Sequence, residues 1–353
     1  MKYILIKIIL FSIIAIIIVS CFLLILNNGM YEPKNSEFQE EIFFTIEKGQ
    51  GVKEISDNLE KAGLIKNKWF FRIYVVLTDI DAQLKAGEYS LSQSMSVSKI
   101  AEKFYLGDVS TLRIVILEGW NLRNIAEMFE RKEMFKSEDL FELTGYPATN
   151  KIEPSGLPFS DEFIDNFDFL TDKPINVNLE GYLFPDTYQI RKKEDSLRDI
   201  VWKMLNNFGS QLTQELRDEI KSQEKTIFEI ITVASLIEKE VASYKDKTIV
   251  SGIIWKRLEI DMPLQIDATV NYITEKNMRA VLVDDTKIDS LYNTYKYKGL
   301  PLGPISNPGI ESIKAAIYPE KTSYLYYLSA KNGQTIFSST FEQHKANKAI
   351  YLQ

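Results

Sequence analysis

From Ile8 to Leu26 the chain is apolar at every position except two serines, a run long enough to cross a bilayer as a helix. Lys2 and Lys7 precede it, and Glu32, Lys34 and Glu37 follow it. This charge bias predicts residues 1–7 as a cytoplasmic tail, 8–26 as a single transmembrane helix, and the remainder as exported. A cleaved signal peptide fits less well, because the run ends in Asn27-Asn-Gly-Met-Tyr31 with no Ala-x-Ala site. Lipoprotein processing at Cys21 also fits less well, since Phe22 to Leu26 stays apolar. Residues 27–40 are polar around Pro33 and read as a tether.

Beyond the tether, short strand-like runs mix with amphipathic helical stretches. Ile42 to Ile46 reads as a strand, Glu47 to Gly51 as a turn, and Val52, Ile55 and Leu59 as a helix ending near Gly63. Lys68 to Leu77 predicts a second helix, Gly87 to Leu91 a short strand, and Ser94 onward a capped helix closing at Gly107. Thr45 to Leu59 parallels Val115 to Phe129: each is a strand, a Gly turn and an amphipathic helix. This unit resembles the LysM-type glycan-binding module, although an ordinary strand-turn-helix packing unit has the same pattern. Asn150 to Asn178 reads as irregular. Helices are predicted over 195–208, 213–222, 226–243, 246–257 and 313–317. A hairpin is predicted between Tyr324–Leu328 and Thr335–Phe337 across Asn332-Gly333. Helices and strands lack the alternation of a parallel sheet, which favours an α+β class.

The stretch Thr226 to Ser243 has no Gly or Pro, and Ile227, Ile231, Ala234 and Val241 recur at helical spacing. At about 100° per residue, Glu238 projects within roughly 60° of all four, and Glu240 points nearly the opposite way. A Glu on a buried stripe has its charged form disfavoured, as a general acid near neutral pH requires. A structural Glu at a stripe edge satisfies the same geometry.

Composition narrows the chemistry. Of 353 residues, one is Cys and one is His, so a disulfide framework, a Cys-rich metal site and a His-rich metal site are excluded. No cofactor or metal is expected. Net charge of −7 and the lack of any basic block argue against nucleic acid. Carboxylates, hydroxyls, amides, Lys and Tyr remain for catalysis.

Four segments concentrate polar and aromatic residues: Glu180 to Tyr188, Ser235 to Glu240, Leu264 to Val270, and Tyr292 to Tyr295 followed by Gly299 to Gly309. Amides and carboxylates suit sugar hydroxyls, and aromatic rings suit sugar faces. Together these segments resemble the MltG/YceG-like family of endolytic murein transglycosylases, over nearly the whole chain. Ser235-Leu-Ile-Glu-Lys-Glu240 matches the family's catalytic signature, and the resemblance puts the acid/base role on Glu238. It puts Gln265, Asp267, Asn293, Tyr295, Asn307, Tyr182, Asp186 and Tyr188 on groove-lining motifs. Ala268, Leu302 and Lys345 depart from the family's pattern at positions where Pro, Pro and Asn are usual.

The resemblance implies a LysM-like subdomain over 41–110 and a YceG-like catalytic domain over 111–353. It implies a lyase that cuts the bond between N-acetylmuramic acid and N-acetylglucosamine and leaves 1,6-anhydro ends. One Glu would serve as acid and then base, without water. Either the substrate acetamido group or oxygens such as those of Asp267 would stabilise the sugar cation. Peptidoglycan strands, the inner membrane and peptidoglycan synthases (penicillin-binding proteins) are the implied partners, with the catalytic domain in the periplasm or outside. A non-enzymatic wall-binding scaffold is the competing reading. A stem-peptide amidase is disfavoured by the missing zinc ligands.

Overall fold

A computed structural model describes residues 2–149, 161–191, 194–276, 278 and 281–352. The chain forms two compact units, one of residues 1–112 and 189–194, the other of 113–188 and 195–353.

The first unit begins with α1 (Lys2–Tyr31), a single helix whose last residues are held against the unit. Residues 27–31, expected as tether, therefore continue the helix. Next come β1 (Ile42–Ile46), α2 (Val52–Lys61), α3 (Lys68–Leu77), β2 (Gly87–Leu91) and α4 (Val97–Leu106). β1 and β2 pair antiparallel from Ile42↔Leu91 to Ile46↔Gly87. Their inward residues Phe44, Ile46, Tyr89 and Leu91 pack with Ile55 and Leu59 of α2, Phe71 and Val75 of α3, and Ile100 and Phe104 of α4. Local signals set the ends of α4: Ser96 accepts the Lys99 N–H, and Gly107 takes the left-handed conformation with φ +72°.

β3 (Leu112–Val115) opens the second unit and is followed by α5 (Leu122–Arg131) and α6 (Ser137–Thr144). Gly119, at φ +75°, makes the turn between β3 and α5, as Gly49 at φ +87° does between β1 and α2. Both copies of the strand-turn-helix unit seen in the sequence thus adopt that local structure. Of the stretch expected to be irregular, residues 150–160 lie outside the described residues. From 161 it holds short 3₁₀ turns at Asp161–Asn166 and Asp168–Leu170. β4 (Thr187–Ile190) pairs with β3.

The rest is helical: α7 (Leu197–Gln211), α8 (Gln214–Ser222), α9 (Ile227–Glu240), α10 (Tyr244–Glu259), α11 (Asp267–Thr274) and α12 (Ile310–Ile317). The antiparallel hairpin of β5 (Tyr326–Ser329) and β6 (Thr335–Ser338), then α13 (Phe341–Tyr351), completes the unit. α9 is central, packed by α8, α10, α11 and α12. All eight residues from Ile230 to Ile237 are buried. A capping box between Thr226 and Glu229 starts α9, and Asp172 accepts the Ile227 N–H at 2.6 Å. The described elements are mixed α+β, with three two-stranded sheets.

Candidate active site

The second unit carries a cleft of about 1230 Å³. Glu240 from α9, Gln265 and Asp267 at the start of α11, Tyr295, and Tyr326 and Tyr327 from β5 line it. Trp120, Phe341 and His344 contribute further rings, and Glu118 stands in the same wall.

Glu240 is the last residue of α9, and Tyr327 donates a hydrogen bond to its carboxylate. Its carboxyl is pushed up to about 7, first by burial and then by the charge of Asp267, against the lowering effect of the Tyr327 bond. Asp267 in turn accepts a short hydrogen bond from the Tyr295 hydroxyl. Burial pushes that phenol up, and the carboxylate charge adds to the effect. Arg257, buried beside the tyrosines, gives its guanidinium to the carbonyls of Leu264 at 2.6 Å, Leu325 at 2.7 Å and Pro263 at 3.2 Å. It therefore pins the cleft wall to the hairpin.

Glu238 lies elsewhere. Its side chain is 8% exposed and is absent from the cleft lining. Lys247 of α10, only 3% exposed, approaches Oε1 at 3.3 Å. The Gly309 N–H donates to Oε2 at 3.0 Å and the Ser312 hydroxyl at 2.7 Å. All these partners are donors, and two come from the first turn of α12, where a carboxylate complements the helix dipole. Glu238 thus caps a neighbouring helix and ties α9, α10 and α12 together. The structure thus sets Glu238, expected as the acid/base, among these donors, and Glu240 in the cleft wall. The stripe argument assumed one buried face, but α9 is buried all round. The two acids point opposite ways into different parts of the interior. The eight-residue run without a charge, Ile230 to Ile237, is the sequence signal for this. Gly309 lies against the Glu118 carboxylate, which a Cβ at this position would displace. Glu118 is pushed up by burial and then by the charge of Glu238. The cleft therefore holds more than one carboxylate, so solitude of the acid is no argument for its chemistry.

Of the eight expected groove residues, Gln265, Asp267 and Tyr295 line the cleft. Gln265 exposes its side chain from a left-handed backbone, φ +51°, a strained conformation for a non-glycine residue. The other five, Asn307, Asn293, Tyr182, Tyr188 and the exposed Asp186, are not among the lining residues of this cleft. Asn307 is fully buried, accepting the Leu183 N–H at 2.9 Å and donating to the Trp120 carbonyl at 3.0 Å and to Glu180 at 3.3 Å. Asn293 donates to the carbonyls of Thr286 and Ile288. Tyr182 is buried in a ring cluster, 5.2 Å from Phe208 between centroids. Tyr188 donates to the Phe184 carbonyl, and Asn207 binds both Tyr188 and Asp186. Polar side chains in loops suit a sugar groove and an internal staple equally well, so the motifs could not separate these uses.

Glu180, not singled out as an acid by the sequence, is fully buried. It accepts the Leu122 N–H at the start of α5 and the Tyr272 hydroxyl at 3.1 Å, and burial pushes its carboxyl up to about 7. His344 stacks on Tyr326, with 5.3 Å between centroids, and its buried Nδ1 has no protein partner. Burial lowers its pKa, and the charges of Lys348 and Arg257 add to this. Among the described residues, no group of three or more His, Cys, Asp or Glu could hold a metal.

The model of the YceG-like family matches residues 44–350. An endolytic murein transglycosylase of Bacillus subtilis is 32% identical over 326 residues, which covers 92% of this chain and 88% of the relative. One from Streptococcus pneumoniae is 30% identical over 338 residues, covering 91% of this chain, which spans 60% of that longer protein. The 2.6 Å crystal structure of a yceG-like protein from Listeria monocytogenes is 33% identical. It covers 87% of this chain and 99% of its own, with a TM-score of 0.58. Matched over most of its length by the family model, by these relatives and by a solved fold, this chain belongs to the YceG-like family.

Proposed function

We propose that the chain is a membrane-anchored endolytic lytic transglycosylase of peptidoglycan, with Glu240 rather than Glu238 as its acid and base. The observation that carries the reading is a carboxyl raised to about 7 in the wall of a wide cleft lined by aromatic and polar side chains. The names of the relatives support the substrate and the reaction class. In this mechanism protonated Glu240 gives its proton to the glycosidic oxygen as the bond to C1 of the muramyl sugar breaks. The resulting carboxylate takes the proton of the C6 hydroxyl as that oxygen bonds C1 and closes the 1,6-anhydro ring. No water enters, and Glu240 ends protonated again. Asp267, held by Tyr295, stands near enough to raise the Glu240 carboxyl and lies within the same cleft.

Two carboxylates in one cleft also fit a hydrolase, in which Asp267 would activate water. Purified murein digested by the full chain in lipid nanodiscs separates the two by mass spectrometry of the new ends. Anhydro ends are expected; reducing ends would make Asp267 a base and overturn the lyase reading. A scaffold without activity has no use for a protonated acid in such a cleft.

The pH dependence follows from the same group. The acid form of Glu240 predominates below about pH 7 and is lost above it, so kcat/KM is expected to fall as pH rises through about 7. Tyr327 donates to the ionised form, so Tyr327→Phe should move this limb to higher pH. A limb that stays in place in an active variant would assign the titration to another group.

The anchor reading rests on α1. Residues Ile6–Tyr31 are apolar enough to cross a membrane, and Lys2 and Lys7 favour an N-terminus in the cytoplasm. The local strand-turn-helix structure of β1 and α2 supports the LysM-like reading of the first unit. Such a location would bring nascent glycan and its synthases within reach.

A further inference from the structure

α3 is Lys68-Trp-Phe-Phe-Arg-Ile-Tyr-Val-Val-Leu77, and its surroundings can be read around its circumference. Phe71 and Val75 enter the core of the first unit. Lys68 and Arg72 turn to α2, where Asp57 meets them at 2.7 and 2.9 Å. Phe70 and Tyr74 meet the end of α1: a Cβ on Gly29 would come within 2.5 Å of the Phe70 ring, and Tyr31 lies edge-on to Tyr74 at 6.0 Å.

One arc of α3 is largely exposed among the described residues. At roughly 100° per residue, Trp69, Ile73, Val76 and Leu77 fall within about 100° of one another, next to the face that holds α1. Trp69 is 57% exposed, Val76 64% and Leu77 71%, and no charged residue interrupts the arc. Arg72 lies at its edge and stacks over Trp69 at 4.8 Å.

The depth of this arc relative to a bilayer is set by α1. The helix enters the unit without a break: Met30 is buried, Lys34 donates to the Gly63 carbonyl at 2.8 Å, and the Asn35 N–H donates to the Gln93 carbonyl at 3.0 Å. Its candidate span of 26 residues covers about 39 Å at 1.5 Å per residue, against a hydrocarbon core of about 30 Å. The apolar run ends at Leu26, so a bilayer crossed by α1 would have Asn27 to Tyr31 in its headgroup layer, and α3, packed on that last turn, beside them. Exposed apolar side chains edged by Trp and Arg suit that layer.

We propose that the Trp69–Leu77 face of α3 lies in the interface of the bilayer that α1 crosses, so that the first unit rests on the lipid surface rather than swinging on a tether. The inference rests on α1 being a membrane span. A lipid surface is the occupant because the face is continuous with the anchor's own seat.

The test uses the full chain with Cys21→Ser, reconstituted at one copy per phosphatidylcholine nanodisc. A single cysteine carries an environment-sensitive dye at Val76→Cys or, at an exposed position of α2, at Glu54→Cys. Flotation with vesicles of the same lipid is scored first. The expected result is a floating protein with a blue-shifted dye at position 76 that nitroxide-labelled lipid quenches. The dye at position 54 should be water-like and unquenched. Failure to float removes the anchor reading and this proposal together. Flotation with a water-like dye at 76 overturns the docking alone. A blue-shifted dye at 76 that lipid nitroxides do not quench also overturns it, because protein would then cover the face.

Discussion

Glu240→Gln is expected to lower the rate of murein cleavage by roughly 100- to 10,000-fold, the range that a positioned general acid contributes. Glutamine keeps the shape of the side chain and still accepts the Tyr327 hydrogen bond, but it cannot supply a proton at the glycosidic oxygen. The fold should survive the change, because a neutral amide replaces a carboxyl that burial already favours in its neutral form. Glu238→Gln should do the reverse. It removes the countercharge from Lys247, which is only 3% exposed, and so lowers stability, while molecules that remain folded keep the acid in the cleft. Measured side by side, cleavage rate and urea unfolding should therefore separate the two acids. An inactive Glu238→Gln with wild-type unfolding, beside an active Glu240→Gln, would return the catalytic role to Glu238.

That two neighbouring glutamates divide in this way explains what the sequence could convey. Helix ends were legible because their determinants are local: Ser96 and Gly107 bound α4, and Thr226 with Glu229 starts α9. Residues 42–46, 68–77 and 87–91 were legible for the same reason, through periodicity and turn residues. α11 and α13 were not, since Asp267–Thr274 and Phe341–Tyr351 carry weak apolar stripes among polar residues. The cleft was legible only in part. It joins Glu240 to Tyr327 and Asp267 to Tyr295, pairs far apart in the chain, and no local pattern encodes such contacts. Asn307 shows the limit from the other side. Its segment has the composition of a sugar groove, yet the side chain is spent fastening the loop at 305–309 to Trp120 and Leu183. Amides satisfy buried backbone groups as readily as sugar hydroxyls, and only the fold decides which they meet.

Lys247→Met is expected to destabilise the second unit by about 3–5 kcal/mol, the usual cost of removing one member of a buried ion pair. The loss should exceed the strength of the bond itself, because the Glu238 side chain, 8% exposed and beside Glu118, would lose its cationic partner. Gly309 and Ser312 still donate to it and set the upper limit of the damage. Adding Glu238→Gln to Lys247→Met should recover much of the loss, since the pair then leaves no uncompensated charge. Unfolding of the second unit in urea, followed through Trp120, Trp202 and Trp255, gives all four corners of this cycle. A double variant no more stable than Lys247→Met alone would mean that Lys247 serves the fold through packing. The cycle also tests the assignment of the acid. Glu238 is engaged by Lys247, the Gly309 N–H and the Ser312 hydroxyl, contacts that hold α9, α10 and α12 together. In the mechanism proposed above the acid is Glu240, two residues along the same helix, whose carboxyl burial pushes up to about 7 in the cleft wall.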